Sequence, residues 1–285
     1  MISIKIGFIG AGKVGFSLGK YLVVNNIAVT GYYSRNDDSS KKASIFTGTK
    51  QFKDINELIN ESDTIFITTP DGEIKNVWNE IKKLSIKNKV ICHCSGSISS
   101  EIFSNINQYG AYGYSIHPMF AISDKHNSYK LLNNAFVTVE GNPKFAEKIS
   151  SIISSFGNEV LIINNNNKAL YHAASVTVSN LVLGLINTGV KHLEQCGFDE
   201  STAIKALEPL ISFNINNIKE KGIVNSLTGP VERGDVETIK GHCNVLNLED
   251  EVVYKALSRN ILEVAKMKNN NKDYKNIEEY LGGQQ

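Results

Sequence analysis

Six residues near the start of the chain constrain its fold more than any others. Gly10-Ala11-Gly12-Lys13-Val14-Gly15 is a G-x-G-x-x-G string, set directly after a β-like run at 2–9 and before a helical run at 13–25. In that setting the spacing has a mechanical meaning. The first glycine makes a tight turn, the second lets main chain approach a pyrophosphate, and the third lets the helix pack closely on the strand. The free amides at the helix N-terminus then face phosphate charge. The competing reading is a glycine-rich turn that holds no ligand.

The rest of the first half repeats the alternation. Segments 27–34, 49–52, 63–69, 89–94, 112–117, 135–140 and 159–163 read as strands, and 55–61, 72–84, 98–108 and 143–156 as helices. Such alternation predicts a parallel sheet covered by helices. The pattern changes at the run Asn164 to Asn167, a turn signal and candidate domain boundary. Beyond it the periodicity is helical: one long helix over 168–196 ended by Gly197, then helices near 199–220, 235–247 and 249–268, with a loose polar tail from Asn269. The expected architecture is an α/β dinucleotide-binding domain at 1–163 followed by an all-α domain at 164–285, which suits a 285-residue chain.

Charge and cysteine usage exclude several roles. Thirty basic and 29 acidic residues leave a net charge of +1, too little field to hold a nucleic acid. No run of about 18 apolar residues free of polar breaks is evident, so no membrane span is expected. The apolar N-terminus runs into the glycine loop rather than a cleavage site. Cys92, Cys94, Cys196 and Cys243 form neither a C-x-x-C pair nor a disulfide framework, which points to a reducing cytoplasm. Cys92 and Cys94 share one strand face and His93 takes the other. Further ligands are lacking, so no metal site is expected.

Cofactor choice rests on Tyr32-Tyr33-Ser34-Arg35-Asn36, the end of the second strand. The acid that bonds a ribose 2′-hydroxyl in NAD sites is missing at the strand tip. Arg35 can stack on adenine and pair with a 2′-phosphate, and Ser34 can donate to it, so NADP is expected over NAD, and FAD or S-adenosylmethionine is disfavoured. Arg35 is one of only three arginines, with Arg233 and Arg259. The alternatives are a solvated Arg35, and NAD binding helped by Asp37 or Asp38. At the fourth strand tip, Thr69 and Pro70 are expected to line the cofactor and Asp71 to cap the next helix.

Four further places carry candidate chemistry. Ser95, in CHCSGS, would face the nicotinamide end of the crevice. His117, at a strand tip before Pro118, is either structural or functional. Lys168, His172, Ser175 and Ser179 form a polar stripe on an apolar helix, with Asn180 close by; the alternative is a hydrogen-bonded packing contact. Arg233, in the turn TGPVERGD, either binds a substrate anion or pairs with Asp235, with His242 on the helix that Asp235 caps. His192 and Cys196 read as incidental.

These residues carry a resemblance. The N-terminal part resembles the NADP-binding domain shared by pyrroline-5-carboxylate reductase, ketopantoate reductase, 6-phosphogluconate and 3-hydroxyisobutyrate dehydrogenases, and deazaflavin-dependent NADP oxidoreductases. Through GAGKVG, TTPDGEI, HCSGS, SIHPM, YHAASVTVSN and TGPVERGDVETIKGH, nearly the whole chain resembles a family of short Rossmann-fold oxidoreductases with a C-terminal domain of unknown function. The resemblance implies a Rossmann domain, an all-α domain of the 6-phosphogluconate dehydrogenase C-terminal type, and a homodimer built through the long helix. It matches Lys168 to a substrate-positioning Lys. His172 stands where relatives have Asn, and Asn180 lies two turns further. Ser95-Gly96 resembles a Ser-Gly that contacts substrate and nicotinamide. The implied activity is NADP-dependent hydride transfer with a small carbonyl, imine or hydroxy acid in the cleft between the domains. Lys168 or His172 would move the proton, Asn180 and Ser95 would orient the oxygen, and His117, Arg233 and His242 would bind substrate. The alternative is a non-catalytic NADP-binding sensor or regulatory protein.

Overall fold

Strand runs with apolar residues on both faces demand helices on both sides, and the chain supplies them. The structure, a computed structural model, describes residues 4–164 and 167–282. Eight strands form one sheet: β1 (Lys5–Ile9), β2 (Ala28–Tyr33), β3 (Lys50–Gln51), β4 (Thr64–Ile67), β5 (Val90–His93), β6 (Tyr112–Met119), β7 (Phe136–Gly141) and β8 (Val160–Ile162). Their order is β3-β2-β1-β4-β5-β6-β7-β8. The strand order reverses between β1 and β4, and at such a switch point an open α/β sheet binds ligands.

The expectation of an all-parallel sheet needs one correction. β6 and β7 pair antiparallel, Tyr114 opposite Gly141 and Met119 opposite Phe136. The connection between them holds only a short 3-10 stretch at Ser128–Asn134. A parallel return would need a full crossover.

Helices α1 (Lys13–Val24), α2 (Asp37–Thr47), α3 (Ile55–Glu61), α4 (Asp71–Ile81), α5 (Pro143–Ser154) and α6 (Lys168–Val178) accompany the sheet. Period-two alternation sorts the strand side chains into two cores. Ile65, Ile67 and Ile91 meet Leu58, Ile74 and Trp78 on one face. Phe8, Phe66 and Cys92 meet Phe16, Leu22 and Tyr114 on the other. His93 takes the face opposite Cys92, with its ring 5.4 Å from that of Phe103.

Two helix expectations fail in this region. The segment 98–108 is not a helix but two 3-10 turns, Ser100–Ile102 and Ile106–Tyr109; Asn105 between them sits at φ 59 and breaks the ladder. Conversely α2 has no counterpart in the sequence expectation. Its Ser- and Lys-rich stretch carries little apolar signal, and what starts it is the Asn36 side chain accepting from the Ser39 amide.

The chain divides into two compact units, Met1–Asn180 and Leu181–Gln285, so α6 clusters with the sheet, whereas the Asn run suggested a division at 163. Asn165 and Asn166 of that run, and the first two residues of the expected 2–9 strand, lie outside the described residues. The expected helix at 168–196 is interrupted: Ser179, at φ −118 and ψ −81, separates α6 from α7 (Asn180–Gln195). Ser175, Thr177 and Ser179 each donate to the carbonyl four residues back, a pattern that bends helices. Taken together, Lys168–Gln195 is long and apolar enough to cross a membrane by length and composition alone, at a mean hydropathy of 1.5. This departs from the expectation that no stretch would qualify, because averaging over a window tolerates isolated Ser, Thr and Asn. Lys168, its first residue, is buried in the sheet unit.

The second unit continues with α8 (Glu200–Ser226), α9 (Pro230–Arg233), α10 (Val236–Val245), α11 (Leu248–Lys268) and α12 (Lys275–Gly282). Gly222, at φ 74, kinks α8 near its expected end. From Asn269 to Gly282 the tail is not loose. Tyr274, Ile277 and Leu281 bury against Val231, Ile239 and Leu262, and Arg259 donates to the Leu281 carbonyl at 2.8 Å.

Candidate active site

The three glycines of the first loop do different work. Gly10 sits at φ 106, and a Cβ on it would stand 2.9 Å from the Thr68 carbonyl carbon and the Thr69 amide. A Cβ on Gly15 would stand 2.3 Å from Thr68 Oγ1, which donates to the Gly10 carbonyl at 2.9 Å. Those two glycines lock α1 against β4. Gly12 is different: nothing lies within 4 Å of its missing Cβ. It caps α1 without a side chain, leaving the first-turn amides open in front.

In front of Gly12 is a cleft of about 330 Å³. Gly10, Ala11 and Gly12 form its floor, Ser34, Arg35 and Asn36 one rim, and Thr69, Pro70 and Glu73 the other. Lys13, Val14 and Gly15 are not among its walls. Arg35 reaches Glu73 on α4 at 2.9 Å and stays exposed. The two acids that weighed against an NADP site are engaged elsewhere, Asp37 with Lys53 and Asp38 with Lys42, both at 2.5 Å. These features fit a dinucleotide: unobstructed helix-terminal amides for the pyrophosphate, a walled cleft, and a guanidinium at the rim.

Further along the same sheet edge a second group converges. Gly96 follows β5, and a Cβ there would stand 2.6 Å from His172 Nδ1 and 2.9 Å from His117 Nε2. Only a glycine lets this turn pass between the two imidazoles, one from β6 and one from α6. His117 Nδ1 bonds the Tyr171 hydroxyl at 2.7 Å, and Thr138 on β7 donates to that hydroxyl at 3.1 Å. Lys168 lies one helical turn before His172, 3% exposed, with its ammonium 5.1 Å from the Tyr171 ring centroid. Among the described residues, Lys168 Nζ and His172 Nδ1 are buried without a hydrogen-bond partner, as are Thr69 Oγ1 and, in the apolar core, Trp78 Nε1. Unpartnered buried polar atoms are costly, and they mark places where a ligand's acceptors or donors belong.

Electrostatics follow from burial. Burial, then the Lys168 and His172 charges, pull His117 down to about 4. Burial holds His93 at about 4 as well. The Ser95 amide donates to His93 Nδ1 at 3.2 Å, so its proton sits on Nε2, facing the Ser99 carbonyl at 3.3 Å. His93 is thus a satisfied structural ring. Burial also lowers the Lys168 pKa, with Glu140 and Cys94 opposing. Glu140, 2% exposed on β7, accepts from the Ser100 amide at 2.8 Å and its hydroxyl at 2.7 Å. Its carboxylate offsets the Lys168 charge without bonding it.

The structure brings Lys168, His172, His117 and the Ser95-Gly96 turn together. The Ser95 hydroxyl is committed, donating to Asp71 at 2.7 Å and accepting from the Ser97 and Ile98 amides. Asp71 makes no capping bond; it anchors that turn, receiving Ser97 as well at 3.0 Å. Asn180 is exposed and accepts from Ser179. Arg233 and His242 belong to the second unit. There Arg233 lies 4.0 Å from Asp235, which caps α10 through Thr238, and His242 Nδ1 bonds the Tyr254 hydroxyl at 2.8 Å. Sequence reasoning missed Tyr171, Thr138 and Glu140. Tyr171 shares the helix face of Lys168, three residues on, and Glu140 is an acid inside an apolar strand run; both were available signals.

Comparison with known proteins agrees with this anatomy. Residues 2–118 match the family model "Rossmann-like domain" and 135–261 the model "Domain of unknown function (DUF2520)". The second match starts at the edge of β7, so it takes in the last two strands, the first of which carries Thr138 and Glu140. The chain is 29% identical over 105 residues to "Putative 6-phosphogluconate dehydrogenase YqeC" of Bacillus subtilis (strain 168). That match covers 36% of this chain and 35% of the relative, so the chain spans about a third of that protein's length. Among solved structures, protein TM1727 from Thermotoga maritima matches with a TM-score of 0.73 at 25% identity, over 92% of this chain and 99% of that one. The "putative NADP oxidoreductase BF3122" from Bacteroides fragilis matches with a TM-score of 0.74 at 20% identity, over 92% and 98%. At that identity the likeness is one of fold.

Proposed function

We propose that this chain, a Rossmann-like domain followed by a DUF2520 domain, is an NADP-dependent oxidoreductase acting on a small carbonyl, imine or hydroxy acid. One observation carries the reading: the dinucleotide cleft and a cluster of buried, unpartnered donor atoms share one edge of one sheet. The bound dinucleotide would supply or take the hydride. Gly12 and the first-turn amides would hold its pyrophosphate, and Arg35 and Ser34 its 2′-phosphate. Lys168, His117 and His172 would hold substrate and move the proton, with the Gly96 turn keeping both imidazoles on the reacting atoms. The sequence match to YqeC, over about a third of each chain, supports the chemistry, and fold alone would not.

The reading extends to assembly and setting. Leu181, Leu183 and Leu185 on α7 and Leu210, Phe213 and Ile215 on α8 are all exposed, which supports a homodimer through these helices. Light scattering tests that. All four cysteines are free, which supports a reducing cytoplasm.

The deciding experiment is a paired titration with NADPH and NADH, followed by nucleotide fluorescence. NADPH should bind at least tenfold more tightly, a gap of about 1.4 kcal/mol. Equal affinities would remove the role given to Arg35. No binding of either would remove the oxidoreductase reading and put a non-catalytic partner protein in its place.

A further inference from the structure

His117 is the one imidazole of the cluster with one nitrogen tied and the other free. Thr138 donates to the Tyr171 oxygen, which leaves the Tyr171 hydroxyl free to give its own proton to His117 Nδ1. In that tautomer the His117 proton sits on Nε2, which makes no hydrogen bond among the described residues and lies against Gly96; His172 Nδ1 approaches the same glycine, with the two ring centroids 6.3 Å apart. A neutral imidazole whose free N–H faces a site can donate to a developing oxyanion.

We propose that protons reach the substrate along a relay from Tyr171 through His117, with Lys168 as its electrostatic support. The proposal rests on the oxidoreductase reading. In the reducing direction a carbonyl carbon gains hydride from a reduced nicotinamide dinucleotide, and the C=O π pair moves to oxygen. That oxygen takes the proton of His117 Nε2 while Nδ1 takes the Tyr171 proton. The ring ends neutral, the negative charge ends on the Tyr171 phenolate, and solvent returns its proton after the product leaves. The ammonium of Lys168, 5.1 Å from the Tyr171 ring centroid, and the Thr138 hydroxyl both favour that phenolate. Lys168 therefore has a reason to be buried without a bonded counter-ion. His117 is the catalytic residue here, Tyr171 is its proton source, and Thr138 acts through Tyr171 as a positioning residue. The charged and titratable groups facing His117 are Lys168 and His172 from α6, Asp71 from α4 and His93 from β5.

Nitrogen-15 NMR of the imidazoles in the full, nucleotide-free chain tests the relay without turnover. The expected result is a neutral His117 with its proton on Nε2 near pH 7, and a mixture of tautomers in Tyr171→Phe. Thr138→Val is the second variant should Tyr171→Phe fold poorly, and it should weaken the same preference. With 2-oxo acids and cyclic imines as probe substrates, Tyr171→Phe should lower kcat about 100-fold, with KM and NADPH affinity nearly unchanged. The high-pH limb of the rate profile should be lost with the phenol. Nε2 deprotonated in the wild-type chain, or a tautomer indifferent to Tyr171→Phe, overturns the relay. Failure of the wild-type chain to bind NADPH removes the hydride reading and the relay with it; binding with the proton on Nδ1 removes the relay alone.

Discussion

The dinucleotide cleft and the imidazole cluster lie along the same edge of the sheet, and they are built by opposite means. The cleft comes from local sequence. One loop of six residues makes its floor, and short strand tips make its rims. Its key glycine, Gly12, has open space where a Cβ would be. The cluster comes from four distant segments, β5 with its Gly96 turn, β6, β7 and α6, and its key glycine is hemmed in by two side chains. One region is an open surface waiting for a large ligand. The other is a buried polar interior in which desolvation keeps the His117 ring neutral. The contrast teaches that conserving volume matters at the cluster, while conserving main-chain access matters at the cleft.

The largest test of the contrast is acid. His93 and His117 are held at about 4 against an ordinary 6.5. Between those values the unfolded chain binds protons that the native chain refuses. Their contribution is fully present above the window and is lost as the pH falls through it, on the order of 3 kcal/mol per ring at full extent. Denaturant midpoints at pH 7 and pH 5 should differ clearly; a flat response would mean that the cluster is not desolvated.

Next comes Gly96→Ala. Its Cβ would press on His172 and His117, so turnover should fall at least 100-fold, roughly 2.7 kcal/mol. Overpacking should lower stability by about 1–3 kcal/mol. NADPH affinity should stay within about threefold of wild type, a change under roughly 0.7 kcal/mol. Parallel titration and thermal melts would show whether the two regions are separable. If NADPH affinity fell with turnover, they would be one site rather than two.

Gly12→Ala is the converse. Its Cβ meets no atom of the described residues within 4 Å, so the melting temperature should hold, while NADPH affinity drops about tenfold because the Cβ stands where pyrophosphate belongs. Arg35→Leu should cost NADPH a similar factor and leave NADH untouched. The smallest effect is expected from Glu73→Gln. It releases Arg35 from an exposed ion pair worth at most about 1 kcal/mol, so NADPH should tighten by only about two- to threefold. A weaker NADPH in that variant would mean that Glu73 positions Arg35 rather than competing for it.

Much of this molecule is written in short stretches of sequence. All eight strands, the glycine loop, the missing acid after β2 and the switch to helices after the Asn run are local patterns, each carried by periodicity or by one residue's backbone needs. A local pattern with the wrong partner was enough to mislead: apolar spacing over 98–108 suggested a helix that Asn105 breaks, and a polar tail hid Ile277 and Leu281, whose burial depends on α10 and α11. Asp71 read as a cap and instead anchors the Ser95 turn. What only the tertiary structure decided is the cluster. Tyr171, His117 and Thr138 are separated in sequence by 54 and 33 positions along their two hydrogen bonds. No window of sequence contains such a contact, because a hydrogen bond between side chains on β6, β7 and α6 exists only once sheet register and helix docking have set their distances.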